Sequence, residues 1–190
     1  MIFDVEAIVR TSKTVTYDFR SDLLKKLDAE FSGYFLDEPS YYKLLTATAR
    51  LYPDAVFLEL GTYTGASAIA YAYGNPNKPI YTYDVVSSHR FIHEGLKDKI
   101  IVRKADVRTC QFDMPRPDII FLDISHNGTD EIATLNNLVA QSMIGNNMLI
   151  LDDIMLNNEM KLLWSQLRAH KKFDITAHGH PTGTGVCLYE

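Results

Sequence analysis

The chain has few of the residues that would commit it to a special environment. It has two cysteines, Cys110 and Cys187, far apart and in no metal-binding or redox spacing, which excludes a disulfide scaffold or a cysteine zinc site and fits free thiols in a reducing compartment. It lacks any apolar run near the ~20 residues of a membrane span. No charged n-region followed by an apolar h-region opens it, so a cytoplasmic protein away from membranes is expected. It is also poor in clustered positive charge. "LKKL" and "HKK" are isolated pairs, and 19 Lys and Arg against 24 Asp and Glu give a net charge of −5. Nucleic acid is therefore not the expected partner. Internal repeats, low-complexity stretches and linkers are missing as well.

What remains is ordinary globular composition, 46% hydrophobic and 23% charged over 190 residues, enough for one domain over residues 1–190. Residues 1–54 read as a helical segment. "SDLLKKLDAEF" offers Ser21 and Asp22 as caps and puts Leu23, Leu24, Leu27 and Phe31 on one face. "EPSYYKLLTATARLY" reads as a helix that starts near Pro39 and stops before Pro53. From residue 55 to 190, short apolar strands alternate with helices: "AVFLEL", "PIYTYDV", "KIIVRKAD", "PDIIFLDI", "NMLILDDI", "FDITAHG" and "GVCLYE" as strands, with "GASAIAYAY", "SHRFIHEGL", "TDEIATLNNLVAQSM" and "NNEMKLLWSQLRAH" between. Strands apolar on both faces imply helices on both sides of a doubly wound, Rossmann-like α/β sheet. The last two strands are separated only by a Pro/Gly turn, so they form a hairpin and the final strand runs antiparallel to the rest. The expected sheet has seven strands.

"FLELGTYTGASAIA" sits where the first such strand turns into a helix. Its spacing, Glu59-x-Gly61-x-x-x-Gly65, matches neither the dinucleotide fingerprint nor a Walker loop. Gly61 and Gly65 permit positive φ and close approach to the backbone. This stretch resembles the first motif of class I S-adenosylmethionine-dependent methyltransferases, and more narrowly the metal-dependent O-methyltransferases of the catechol and caffeoyl-CoA type. "GLKDKIIVRKADV" is similar to a lead-in of the same family, and the resemblance runs from about residue 40 to the end. The first 35 residues carry nothing assignable. The resemblance implies that the turn admits the methionine end of S-adenosylmethionine and that Glu59 holds its ammonium, directly or through water. It implies further that Asp84, ending the second strand, binds the ribose hydroxyls and that Asp106, ending the third, meets the adenine amino group. Tyr63 and Tyr83 are placed to contact the sulfonium, or else to pack.

Acids also end the fourth and fifth strands: Asp123, and the pair Asp152 and Asp153. Because ligands bind beyond the carboxyl ends of parallel strands and neighbouring strands lie ~4.8 Å apart, these three carboxylates can converge on one hard cation. An all-oxygen set points to Mg²⁺, with Ca²⁺ or Mn²⁺ as alternatives. The Asp-Asp pair resembles the sugar-modifying branch of the family, where the catechol type has Asp-Asn. His126, three residues beyond Asp123, occupies the offset of the family's general base and can take a proton near neutral pH. Asp123 is counted with the catalytic and cofactor-facing residues as well as the metal ligands. His178 and His180 read as residues of a solvent-facing turn. The aromatic stretch 31–43 is either helix core or a substrate lid.

The expected activity is transfer of a methyl group to a hydroxyl of a small acceptor such as a sugar or vicinal diol. A homodimer is left open. Two alternatives stand beside it: a non-catalytic module that keeps the fold, and a hydroxylase-like enzyme using the acids and His126 with a redox metal.

Overall fold

The computed structural model describes residues 1–86 and 88–190. Seven strands form one sheet: β1 (Phe57–Leu60), β2 (Ile80–Asp84), β3 (Ile100–Lys104), β4 (Ile119–Leu122), β5 (Met148–Asp152), β6 (Lys171–Asp174) and β7 (Thr184–Leu188). Their order is β3-β2-β1-β4-β5-β7-β6. The first five strands are mutually parallel, while β7 lies antiparallel between β5 and β6.

Alternation of side chains explains the two cores. Phe57, Phe121, Met148 and Ile150 face α1 (Val5–Ser12), α3 (Tyr41–Leu51) and α4 (Ala66–Tyr73) in one buried cluster. Leu58, Leu60, Leu122 and Leu149 face α5 (Thr129–Ala140) and α6 (Asn158–Gln166) in the other. Strands covered on both faces read as unbroken apolar runs, as this sequence does.

Two helical readings are corrected. Residues 21–26 form turns, and helix α2 (Ala29–Leu36) starts only where the Asp28 carboxylate accepts from Phe31 N at 3.0 Å. Asp28, and not Ser21 or Asp22, caps the helix. Residues 88–96 are mostly irregular, with a single 3-10 turn over Glu94–Leu96. Their backbone is committed elsewhere: Phe91 N donates to Thr64 O at 3.1 Å, and Ile92 packs under Gly65.

The strand order reverses between β1 and β4, which run outward from the centre in opposite sequence directions. Such a switch point opens a crevice beyond the carboxyl ends of the strands. Here Gly61 and Asp123 meet.

Candidate active site

A cavity of about 990 Å³ occupies this crevice, at the upper end of the ~300–1,000 Å³ common for small-molecule sites. Its floor is the row of strand ends from Asp106 through Asp84, Gly61 and Asp123 to Asp152 and Asp153. Its roof is α2 with the turn into α3, including Phe31, Tyr34, Tyr41 and Tyr42. The stretch 31–43 thus both packs and covers the cavity: Phe35 is fully buried and stacks on Tyr42 at 4.3 Å between centroids.

At the β1 end, Gly61 has φ +101° and Gly65 has φ +90°. The glycines serve the protein's own packing first. A Cβ on Gly61 would fall 1.7 Å from the backbone oxygen of Asp123, and one on Gly65 would fall 2.5 Å from the Ile92 side chain. Gly65 then caps α4, whose N-terminus faces the crevice. Glu59 lies behind this turn and is fully buried. Thr82 Oγ1 donates to its Oε2 and is itself paired with Thr62 Oγ1 at 2.6 Å, while Oε1 has no partner. Burial pushes the Glu59 carboxyl up to about 8, outweighing the hydrogen bond from Thr82. Glu59 does not line the cavity, whereas Thr62, bonded to Thr82, does.

Tyr63, at φ +43° and 68% exposed, lines the cavity. Its N–H donates to Asp84 Oδ2 at 2.7 Å, and Val86 N–H donates to Asp84 Oδ1 at 2.8 Å. The Asp84 carboxylate is therefore aimed at the tip of β2 with lone pairs to spare. Tyr83 also borders the cavity but packs edge-on against Phe112. Asp106 reaches the wall in a different state. Arg108 Nε binds its Oδ1 at 2.8 Å and Arg108 Nη2 its Oδ2 at 2.7 Å, and these bonds pull the carboxyl down to about 2. Both Asp106 oxygens are thus engaged by the guanidinium.

The far end of the cavity gathers Asp123, His126, Asp152 and Asp153, and with them His180. His126 Nε2 lies 2.7 Å from Asp123 Oδ1 and 3.2 Å from Asp153 Oδ2. The hydrogen bond to Asp123 raises the His126 pKa against the opposing effect of burial. His126 stands at φ +57°, held by Glu131 Oε1 on its N–H and by Asn157 Nδ2 on its carbonyl, each at 2.7 Å. His180 is drawn in by the β6–β7 loop, its Nδ1 3.0 Å from Asp153 Oδ1 and 3.8 Å from Asp152 Oδ2. The turn expected to face solvent instead borders the cavity. His178 stays outside it, beside a smaller pocket that also holds Lys13 and Lys43.

Asp152 is 3% exposed with Oδ1 unpartnered. Burial, then Asp123 and Asp153, raise its pKa far above the carboxylate range. Burial also pushes Asp153 upward, but bonds from His180 and Thr182 outweigh it and the net shift is down. Two overlapping donor groups result: Asp123, His126 and Asp153, and Asp152, Asp153 and His180, each with ligand atoms within 4.8 Å of one another. An orphaned buried carboxylate oxygen among such donors fits a divalent cation.

No family model and no curated protein sequence matches the chain. Solved structures do. The methyltransferase PaMTH1 of Podospora anserina, bound to S-adenosylhomocysteine, is 15% identical with a TM-score of 0.62 over 100% of this chain and 89% of that one. The O-methyltransferase TomG of Streptomyces achromogenes, involved in tomaymycin synthesis and in complex with S-adenosylmethionine, is 18% identical with a TM-score of 0.63 over 98% and 97%. The chain has the class I methyltransferase fold. A methyltransferase from Geobacter sulfurreducens, 15% identical, shares this methyltransferase fold with a TM-score of 0.58 over 100% of this chain and 93% of that one. Among the described residues no helix is long and apolar enough to cross a membrane.

Proposed function

We propose that this protein is an S-adenosylmethionine-dependent O-methyltransferase, assisted by a divalent cation, acting on a hydroxyl of a small molecule such as a sugar or vicinal diol. The observation that carries the reading is one cavity with two unlike ends. A glycine turn and an aimed Asp84 lie at one end, and a histidine braced by carboxylates lies at the other.

The cofactor, when bound, supplies a methyl already activated by the sulfonium charge, so the protein's task is alignment and removal of one proton. Asp84 suits a ribose diol, and Gly61 and Gly65 let the amino-acid part of the cofactor lie along the backbone. Tyr63 presents its ring to the cavity, where a sulfonium gains cation–π attraction. His126 is the base. With Nε2 turned to Asp123 and Asp153, Nδ1 is the nitrogen that takes the acceptor proton, and the two carboxylates stabilise the imidazolium formed. A divalent cation among the acids, Mg²⁺ or alternatively Ca²⁺ or Mn²⁺, would lower the pKa of a coordinated hydroxyl.

The test is calorimetric titration with S-adenosylmethionine and S-adenosylhomocysteine, followed by transfer of radiolabelled methyl to a panel of sugars and diols. Micromolar cofactor binding and labelled product support the reading. Failure of a folded protein to bind either cofactor form sinks it. A non-catalytic module draws on one observation, the capture of both Asp106 oxygens by Arg108; it predicts cofactor-fold stability without label transfer.

A further inference from the structure

The His126 backbone is gripped by the starts of two helices. We propose that Asn157 is a positioning residue for this base: one end of its amide caps α6 and the other holds the His126 carbonyl, so the first turn of α6 keeps the ring on the acids. Glu131 is the counterpart from α5. The assignment rests on the methyltransferase reading for what His126 does, and not for where His126 stands.

His126 sits in the left-handed region, at φ +57°, which a residue with a Cβ keeps only when its surroundings impose it. Side chains take both of its backbone polar groups. Glu131 Oε1 accepts from the N–H at 2.7 Å, and Asn157 Nδ2 donates to the carbonyl at 2.7 Å. Held this way, the ring places Nε2 2.7 Å from Asp123 Oδ1 and 3.2 Å from Asp153 Oδ2. A return to ordinary negative φ would turn the Cβ and carry the ring off both acids.

Both side chains are used in a way that helix capping alone does not require. Glu131 is the third residue of α5 after its cap, Gly128, where a glutamate ordinarily reaches back to the N–H of the cap itself. It passes Gly128 and takes the N–H two residues earlier. Its side chain is 1% exposed, Oε2 has no partner, and the one other donor near Oε1 is Ser125 Oγ at 3.4 Å. Burying a carboxylate with so few donors is costly, and the bond to His126 is what the burial secures. Asn157 caps α6 with Oδ1, which accepts from Met160 N–H at 2.8 Å. An aspartate would cap as well but has no N–H to give His126. With Oδ1 and Nδ2 both engaged, the amide has one orientation. Gly128 completes the join, since a Cβ there would lie 3.1 Å from the Glu159 backbone oxygen. The loop after β4 therefore lies against the first turn of α6, and that helix reaches the base from outside the cavity wall.

The experiment compares Asn157→Asp with the parent chain, because aspartate keeps the cap and deletes the donor. The readouts are thermal melting, ¹⁵N NMR of the neutral His126 ring (assigned by its loss in His126→Gln), S-adenosylhomocysteine titration and labelled-methyl transfer. The parent ring should show one tautomer, with the proton on Nε2. Asn157→Asp should melt close to the parent and bind S-adenosylhomocysteine as tightly. Its ring should show mixed tautomers, and kcat should fall about 10²-fold with KM unchanged, the loss a misplaced group produces. Glu131→Ala should shift the ring in the same way, and Glu131→Gln, which keeps an acceptor, should lie closer to the parent. That pair takes over if the aspartate variant does not fold. An unmoved ring overturns the proposal, as does a moved ring with undiminished kcat or a rate that falls only as stability falls. The ring is read without cofactor or acceptor, which separates the two claims. A moved ring in a protein that neither binds S-adenosylhomocysteine nor transfers label removes the methyltransferase reading alone, and an unmoved ring beside intact transfer removes only the role of Asn157.

Discussion

His126 reaches back three residues to place Nε2 2.7 Å from Oδ1 of Asp123, the first residue beyond β4. The ring is thereby oriented and its pKa raised by the same bond. A base must be neutral to act, so turnover should rise with pH through an apparent pKa above the ordinary ~6.5. Asp123→Asn should move that limb to lower pH while lowering kcat, and His126→Ala should reduce kcat by about 10²–10⁴. Rate–pH profiles of the three proteins decide it. The same shift affects stability with a definite sign. A histidine whose pKa is higher folded than unfolded stabilises the protein fully below ~6.5, and the contribution is lost as pH rises through the folded value. Thermal melts of parent and His126→Gln should therefore differ most at low pH and converge at high pH.

Glu59 titrates in the same sense for another reason. Its carboxyl is pushed up to about 8 by burial, so the folded state holds a proton that the unfolded chain releases near ~4.3. Stability from this group is complete below ~4.3 and falls as pH rises toward 8, with a slope of at most about 1.4 kcal/mol per pH unit. Glu59→Gln keeps the shape and removes the titration. Urea unfolding across pH 5–9 should show a flatter profile for the variant; parallel profiles would mean Glu59 is not the proton holder.

The two glycines of the turn should respond unequally to alanine. A Cβ on Gly61 meets the Asp123 carbonyl oxygen, part of the neighbouring β4 connection, at 1.7 Å, whereas on Gly65 it meets the Ile92 side chain at 2.5 Å. Backbone cannot yield as a side chain can. Gly61→Ala should cost more than about 4 kcal/mol or prevent folding, as exceptional substitutions do. Gly65→Ala should cost about 1–3 kcal/mol for its strained φ. Denaturant midpoints order the pair.

The roof is fastened at one corner by Arg90. Its guanidinium lies 5.6 Å from the Phe31 ring centroid and 4.8 Å from that of Phe91, and binds Asp28 Oδ2 at 2.7 Å. A half-exposed cation–π contact and an exposed ion pair together contribute about 1 kcal/mol. Arg90→Ala should speed amide hydrogen exchange several-fold across Ala29–Leu36 and leave the strands unchanged.

Much of this arrangement can be read from residue order, because short strands buried on both faces leave an apolar signature and their terminal acids mark the ligand edge. Asp84, Asp123, Asp152 and Asp153 all reach the cavity for that reason. His180 is not legible as a cavity residue because a Pro/Gly turn reads as solvent-facing; with β7 seated against β5, its ring reaches Asp153. Gly61 shows a subtler limit. Its spacing is visible, but the carbonyl it makes room for belongs to Asp123, which no local pattern connects to it. Residues 21–26 look like a helix start because Ser21 and Asp22 are good caps, yet Asp28 offers a better-placed one seven residues past Ser21. Arg108 carries no signal in the sequence, since an arginine two residues after an aspartate has many ordinary fates.

The antiparallel strand has a bearing on when this molecule becomes competent. The Asp84 end of the cavity stands on β1, β2 and β3, which pair within the first 104 residues. The other end waits for β7, which must slot between β5 and β6 before His180 meets Asp153. β6 and β7 come last along the chain. During synthesis a chain emerging in order would acquire the strands beneath Asp84 first and the His180–Asp153 contact only with the final hairpin, so a product clipped before β7 would lack the far end of the cavity.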